Sequence, residues 1–311
     1  MPMISFGLRP ASIIEYAKAA ILIQNYTESR KQTIQIKEYY LMAKVFSVAS
    51  WNVEHFGGSK NVTKINSAVN FIASQKADIV AIYEVESSLV FQPLIKAMPN
   101  YQFHITEGPQ IQEILIGVKS GIAAYITQRV EFKSGQQTLR PGVLVTVYIG
   151  NEYYPLLFLH LKSMPDPKGF GLRDDMIRRA CKFKGTLDKA AGGVSNYIFA
   201  GDLNVMGLDY PFKAHDISAT DEIKELKRRA KYRKMTVLDK NSNFTWWNGS
   251  ASPYPPGNLD HVAAANHLKF KQFGGKPIDV RGWPKEPTPA KKDAWIQKYS
   301  DHALLYFEIN K

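Results

Sequence analysis

The sequence predicts a sandwich of β-sheets with helices on its outer faces. From residue 44 onward the pattern runs from strand to turn to helix and back to strand, without an internal repeat. Val45–Trp51 reads as a buried strand, Lys64–Gln75 as an amphipathic helix and Asp78–Glu84 as a second strand. Many further strands with few intervening helices indicate packed sheets. These strands are expected at 113–118, 122–126, 143–149, 154–160, 196–201 and 303–308.

The chain after residue 41 contains no flexible linker, so residues 42–311 are interpreted as one domain. Its most irregular stretch is 274–292, which holds Gly274-Gly275, four prolines and five Lys/Arg. This composition predicts a long loop and not a domain boundary.

The first 41 residues have a different pattern, which predicts a helical hairpin. Capping boxes begin at Ser12 and at Ser29, and each precedes apolar residues. Glu15 and Lys18 interrupt the first apolar run, and no small-residue cleavage site follows it, which argues against a secretory signal. Residues 1–41 are therefore expected to be a helical extension of a cytoplasmic protein.

The composition excludes several classes of protein and indicates a polyanionic partner. Of the 311 residues, 45% are hydrophobic, as in a globular protein. Cys181 is the only cysteine, which excludes an internal disulfide framework and a multi-cysteine zinc site. No apolar run is long enough to span a membrane. The net charge of +12 favours nucleic acid, an anionic lipid surface or a phosphorylated small molecule, without choosing among them.

Polar side chains recur at one end of the predicted strands. Taken singly, each is most simply a turn former, a helix cap or a structural histidine. Together, carboxylates gathered at strand ends are able to hold a hard cation, with histidines beside them kept charged or oriented. The residues are Asn52, Glu84, His160, Asp202, Asn204, Asp260, His261, Asp301 and His302.

Six segments in order resemble the endonuclease/exonuclease/phosphatase superfamily, which contains deoxyribonuclease I, exonuclease III and inositol polyphosphate phosphatases. They are SWNVEHFG, DIVAIYEVE, HLKS, GDLN, NLDHV and SDHALL, and they extend from Trp51 to Leu305. The resemblance implies an α+β fold, a four-layer α/β sandwich with two mixed β-sheets packed face to face and helices outside.

The resemblance also implies a metal site. Glu84 matches the metal-binding glutamate of the family, although Tyr83 stands before it where the family usually has Gln. Asn52 matches the asparagine near the metal and the phosphate, and Asp301 resembles a further metal ligand. The expected cofactor is Mg²⁺, with Mn²⁺ as the other candidate; the ion would neutralise charge that develops on the phosphate oxygens and leaving group.

The remaining matches imply proton-transfer and phosphate-binding roles. Asp202 and Asn204 match the pair that orients and deprotonates the attacking water. His302 matches the histidine at the scissile phosphate, and Asp260 the carboxylate that orients it. Two further residues resemble the deoxyribonuclease I branch in particular: His160 matches its second histidine, and Arg140 resembles its phosphate-contacting arginine. Glu113 is a looser candidate for a partner of His160.

The substrate expected from these features is nucleic acid, with DNA before RNA. The helix runs Arg173–Lys189 and Lys224–Lys234 are rich in Lys and Arg. Such runs usually form solvated helix faces, but beside a phosphodiesterase site they are candidates for contacts to flanking phosphates. No protein partner can be deduced from the sequence.

Two alternatives to a nuclease remain at this point. One is a phosphatase or phosphodiesterase of a small molecule or lipid, and the other is a non-catalytic nucleic-acid-binding protein. The segment Asn258–Val262 lacks the Cys-Asp-Arg of inositol polyphosphate 5-phosphatases, and Tyr83-Glu84-Val85 departs from the Gln-Glu-Thr of abasic-site enzymes. Phe244–Trp247 does resemble an aromatic segment of the abasic-site branch, although core aromatics beside a loop would look the same.

Overall fold

A computed structural model describes residues 43–109 and 112–311, together with Glu28. Apart from that residue, the predicted helical extension over 1–41 lies outside the described residues, and the domain boundary at residue 42 stays a prediction. The strands are β1 (Lys44–Phe56), β2 (Ile79–Val85), β3 (Tyr101–Ile105), β4 (Glu113–Lys119), β5 (Ala123–Arg129), β6 (Gly142–Ile149), β7 (Glu152–His160), β8 (Ile198–Asp202), β9 (Met235–Val237), β10 (Asp260–Ala265), β11 (Lys269–Phe270), β12 (Asp279–Arg281) and β13 (Leu304–Asn310). The helices are α1 (Val62–Ser74), α2 (Phe91–Ala97), α3 (Pro167–Ala190), α4 (Ala219–Tyr232) and α5 (Pro289–Lys298).

The strands form two mixed sheets, as predicted. The first sheet has the order β11-β13-β1-β2-β4-β3, with β12 also paired to β13, and the second has the order β5-β6-β7-β8-β10-β9. Each sheet contains one central parallel pair, β1 with β2 and β7 with β8, and the other pairs are antiparallel. The carboxyl ends of each parallel pair therefore lie side by side.

The core explains why these strands read as continuous apolar runs. Phe158 and Ile198 of the second sheet join the same buried cluster as Val48 of the first sheet, so the sheets pack face to face. The alternate residues Leu157 and Phe199 belong to a second cluster. That cluster includes Met176 and Ile177 of α3 and Leu226 of α4, so helices cover the outer face of the second sheet. Strands buried on both faces need apolar residues at successive positions.

The outer face of the first sheet is covered in the same way. Ile65, Val69 and Ile72 of α1 are buried in the cluster that contains β1. Asn61 caps α1 by accepting a hydrogen bond from the Lys64 amide. The predicted helix over 64–75 and the predicted strands are thus present with boundaries shifted by a few residues.

The prediction of a long loop over 274–292 is wrong. The segment contains β12, which pairs with β13, a 3₁₀ turn at Trp283–Lys285 and the start of α5. Pro289 opens α5 and does not break it, because the first turn of a helix needs no amide from that residue and Thr288 supplies the cap. Among the described residues, no helix is both long and apolar enough to cross a membrane.

Candidate active site

The predicted site residues meet where the central strands of both sheets end. In the second sheet, His160 and Asp260 each lie beside Asp202 in the strand register. Asn52, at the end of the parallel part of β1, joins the two sheets. Its Nδ2 donates to Glu84 Oε1 at 2.9 Å and to Asp202 Oδ2 at 3.0 Å. The chain thus brings together residues 150 positions apart at one edge of the sandwich.

Unusual backbone conformations aim the side chains of this edge. Glu84 and Asn204 have φ values of 62° and 50°, in the left-handed region that non-glycine residues rarely adopt. Glu84 also lies where the pairing of β2 with β4 shifts register. Gly201 has φ 145°, and a Cβ there would lie 1.9 Å from the Leu159 carbonyl oxygen, so this position of GDLN requires glycine. Strained positions of this kind cluster at functional sites.

Tyr83 points away from Glu84, into the space between the sheets. Its hydroxyl lies 2.9 Å from Ser50 Oγ and donates weakly to the Ala200 carbonyl at 3.5 Å. Tyr83, where the family usually has Gln, therefore contacts β1 and β8 and makes no hydrogen bond to the Glu84 carboxylate.

His302 is held between two buried carboxylates. Its Nδ1 lies 2.9 Å from Asp260 Oδ2, and its Nε2 lies 3.6 Å from Asp202 Oδ2. Burial alone would lower the pKa of His302, but Asp260, Asp202 and Asp301 together raise it well above the ordinary value of a histidine. His302 is therefore an imidazolium at neutral pH.

Asp202 also has a raised pKa, but here burial is the cause of the rise. It is completely buried, and burial, with help from Asp260 and Glu84, raises its pKa to about 7 despite the neighbouring His302 and the hydrogen bond from Asn52. A carboxylate with a pKa near the working pH is suited to accept a proton from water. Its other oxygen accepts a hydrogen bond from the Asn204 amide at 3.0 Å.

His160 faces the same carboxylates but is neutral. Its Nε2 lies 3.7 Å from Glu84 Oε1 and 3.6 Å from Asp202 Oδ2. Burial and the charge of Arg140 lower the pKa of His160 well below its usual value. Its buried Nδ1 has no hydrogen-bond partner among the described residues. The suggested hydrogen bond to Glu113 is not formed: Glu113 Oε2 accepts from the Thr106 hydroxyl, and Glu113 Oε1, like His160 Nδ1, has no partner among the described residues.

Arg140 brings a positive charge to the carboxylates. Burial lowers its pKa, and the charges of Glu84, Asp202 and Glu113 oppose that effect. Its Nη1 donates to Gln112 Oε1 at 3.1 Å. A guanidinium beside three acidic groups is suited to hold a phosphate at the same edge.

Two groups at this edge have the composition of metal sites. Asp202, Asp260 and His302 are buried and offer ligand atoms within 4.8 Å of one another. His55, Glu84 and Glu86 form a more exposed group of the same kind. Between them, the buried Oδ1 of Asn52 has no hydrogen-bond partner among the described residues. An oxygen of this kind beside a glutamate fits a hard divalent cation.

Asp301 lies next to these groups, with its carboxylate already oriented. Trp246 Nε1 donates to Asp301 Oδ2 at 2.7 Å, and Ser300 Oγ donates to Oδ1 at 3.3 Å. Burial raises the pKa of Asp301, and the nearby Glu54 and Glu84 add to this effect. A cation at this edge would relieve the mutual repulsion of these acids.

Comparison with known proteins identifies the family of this fold. The model of the endonuclease/exonuclease/phosphatase family matches residues 49–302, which is most of the chain. The chain belongs to this family. Members of the family are hydrolases of phosphoester bonds, and proteins with this fold are divalent-metal dependent. No curated protein matches the sequence.

Solved structures show the same fold at low sequence identity. A truncated TDP2 of Caenorhabditis elegans has a TM-score of 0.59 at 18% identity, covering 86% of this chain and 98% of that one. TDP2 of D. rerio, complexed with a single-strand DNA product, has a TM-score of 0.57 at 18% identity and coverages of 86% and 99%. A family protein of Bacteroides vulgatus has a TM-score of 0.57 at 10% identity, with coverages of 85% and 98%.

The structure also brings to the site edge two residues that sequence reasoning missed, Thr245 and Lys240. Thr245 is fully buried, and its hydroxyl accepts hydrogen bonds from the amides of Leu259 and Asp260 at 3.0 Å each. Lys240 is buried behind Asp260 and donates to its carbonyl and to Asn258 Oδ1. Thr245 and Trp246 lie in the aromatic segment that the sequence singled out, whereas Lys240 carries no local signal.

The basic helix runs are largely engaged within the protein. Arg173 is fully buried against Glu222, and Lys184 is buried beside Asp188. Arg228 and Arg229 both contact Glu225, the only acid within their run. The run Arg173–Lys189 was a candidate for contacts to flanking phosphates. For Arg173 and Lys184 this interpretation is wrong, because a buried guanidinium or ammonium group does not reach a duplex.

Proposed function

We propose that this protein is a Mg²⁺-dependent nuclease that hydrolyses DNA by in-line attack of water on a phosphodiester. The observation that carries the proposal is the contact of Asp202 with Asn52 of β1 and with His302, which lies just before β13 and is itself paired to Asp260. This arrangement puts a proton acceptor and a positive charge on the same small volume at the sheet edge.

Each protein group has a task that follows from its protonation. Asp202, whose pKa is near 7, accepts the proton of the attacking water, and Asn204 fixes the orientation of that water. His302, kept charged by Asp260, donates to the phosphate oxygens as negative charge builds up. Neutral His160 and the cation of Arg140 hold the non-bridging oxygens.

Glu84, Asn52 and Asp301 are the residues we propose as metal ligands. Asn52 Oδ1 and the Glu84 carboxylate supply the hard donors that Mg²⁺ prefers. When bound, Mg²⁺ supplies neutralisation of charge on the phosphate oxygens and leaving group. The same ligands would also suit Mn²⁺.

DNA is proposed as the substrate before RNA. The support is the net charge of +12 and the TDP2 structure of D. rerio that contains a single-strand DNA product. Arg140 beside the carboxylates is consistent with a phosphate bound at the sheet edge.

Plasmid nicking tests the proposal. Purified protein with Mg²⁺ is expected to convert supercoiled DNA to the open form, and chelator or the Asp202→Asn substitution is expected to abolish this. RNA, a phosphoinositide and sphingomyelin are assayed in parallel. Turnover of one of these without nicking over a range of metals would replace the nuclease by a phosphatase or lipid phosphodiesterase, and no turnover of any would indicate a binding protein.

A further inference from the structure

The loops that follow β7 and β8 leave the site edge and are fastened to each other by one buried arginine. Arg173 of α3 is fully buried. Its Nη1 donates to the carbonyls of Lys162 at 3.2 Å and Met164 at 2.6 Å, and its Nη2 donates to the Gly207 carbonyl at 2.7 Å. Two further bonds, at 3.0 and 3.2 Å, pair the guanidinium with Glu222 of α4.

Further contacts make the two loops one surface. The Gly207 amide donates to Glu222 at 2.7 Å, and the Asp209 amide donates to the Pro165 carbonyl at 2.8 Å. Closer to the site, Asn204 Nδ2 donates to the Leu161 carbonyl at 3.0 Å. Breaking a buried and fully hydrogen-bonded ion pair is costly, so the loops hold their relative position. The site residues His160 and Asp202 stand at their starts.

This surface exposes apolar side chains that the fold does not use. Phe212 is 70% exposed, Met164 55% and Tyr210 38%. The rings of Tyr210 and Phe212 are 6.0 Å apart, and His215 packs edge-on to Tyr210 at 5.7 Å. Met164 is held at φ 82° with its carbonyl bonded to Arg173. We call Met164, Tyr210, Phe212 and His215 the loop platform.

The charges around the loop platform favour one kind of occupant. Asp209 and Asp216 are exposed beside it, and Asp216 accepts a hydrogen bond from the Tyr210 amide. Carboxylates at the tip oppose insertion into an anionic lipid surface, where they would be desolvated and repelled. Lys162 lies on the side toward the site, since it follows the site residue His160 by two positions. A phosphate backbone is therefore drawn to the Lys162 side, and uncharged bases face the rings.

We propose that the loop platform stacks the unpaired bases of a DNA strand next to the scissile phosphate. The inference rests on the proposed nuclease function and adds to it that the substrate is single-stranded on this side of the site. Aromatic rings accept any base face, at about 1–3 kcal/mol per stacked base, which is roughly a 5- to 150-fold change in affinity.

The test compares Tyr210→Ala/Phe212→Ala with the wild type on matched substrates. One is a single-stranded oligodeoxynucleotide, and another is the same strand with abasic residues at successive positions beside the cleavage site. The third, bis(p-nitrophenyl) phosphate, has no bases. Tyr125→Ala/Tyr232→Ala removes two exposed rings elsewhere, 68% and 79% exposed, and is the control. Circular dichroism verifies that each variant is folded.

The double variant is expected to raise KM for the intact oligonucleotide at least tenfold, with kcat within about twofold and bis(p-nitrophenyl) phosphate hydrolysis unchanged. On the abasic strand it should behave as the wild type, and the control should match the wild type throughout. An unchanged KM for the intact strand, with wild-type cleavage intact, would overturn the loop platform but not the nuclease. Failure of the wild type to cleave any nucleic acid would refute the nuclease itself. Loss of binding to anionic vesicles in the double variant would assign the platform to lipid and overturn base stacking.

Discussion

The two groups at the site edge have similar side chains and opposite surroundings. Asp202, Asp260 and His302 are all buried, whereas His55 is exposed and Glu84 and Glu86 are half-buried. The histidine of each group has a raised pKa, because a carboxylate bonds to it in both cases. In the buried group the side chains contact one another and accept hydrogen bonds from Asn52 and the Asn204 amide, so the group is suited to proton transfer. In the open group Glu84 keeps access to solvent, so it is suited to exchange an ion and its waters.

The largest effect is expected from the buried group. Asp202→Asn removes the proton acceptor but keeps the size of the side chain, and we expect kcat for DNA cleavage to fall about 10²–10⁴-fold. Single-turnover kinetics measure this fall, and the variant should still bind Mg²⁺. If Asp202→Asn cleaves at the wild-type rate, the buried group does not carry proton transfer.

A somewhat smaller effect is expected at the carboxylate behind His302. Asp260→Asn removes the largest contribution that raises the pKa of His302, so the imidazolium loses its proton at a lower pH. We expect kcat to fall about 100-fold at pH 8 and less at pH 6. NMR titration of His302 tests the cause directly. A histidine pKa that stays unchanged in the variant would contradict this role of Asp260.

The open group is tested by its metal affinity. Glu84→Gln should weaken Mg²⁺ binding roughly 10- to 100-fold, because an anionic ligand becomes neutral. Glu86→Gln is the matched control and should leave the affinity within about threefold, since its bond to the exposed His55 contributes little. Calorimetric titration measures both. Equal losses of Mg²⁺ affinity in the two variants would indicate that His55, Glu84 and Glu86 bind the ion instead.

Lys240 supports the buried group from behind. Its substitution is expected to change the cleavage rate least, so it is tested through the stability of the protein. Burial lowers the pKa of Lys240 to about 7, against 10.5 in the unfolded chain. Between these values the unfolded chain binds more protons at this residue, so stability rises with pH, by up to roughly 5 kcal/mol. Urea unfolding of Lys240→Met should lack this rise, whereas the exposed-site control Lys231→Met should keep it. Parallel pH profiles of wild type and Lys240→Met would show that Lys240 is charged in the folded protein.

The fold could be predicted from local sequence, and so could the gathering of most candidate site residues, because these residues lie at or near one end of an apolar strand. Asn52, Glu84, His160 and Asp202 follow buried runs whose ends meet at the same edge of the sandwich. Lys240 and Thr245 could not be found in this way, since they act through bonds to the backbone of the segment around Asp260. Such bonds depend on tertiary placement and leave no pattern in the sequence.

The same limit explains the errors. Basic residues in α3 and α4 look alike in sequence, but Arg173 turns inward because three loop carbonyls and Glu222 need its donors. The proline-rich stretch after Gly274 looked irregular, yet pairing of β12 with β13 and the position of Pro289 at a helix start give it structure.

In the proposed function the buried group activates water for direct attack on a phosphodiester. Its most direct test is cleavage of a chiral phosphorothioate DNA in ¹⁸O-labelled water. Direct in-line attack predicts one ¹⁸O in each phosphate product and inversion of configuration at phosphorus. Retention of configuration, or cleavage without ¹⁸O incorporation, would contradict the account.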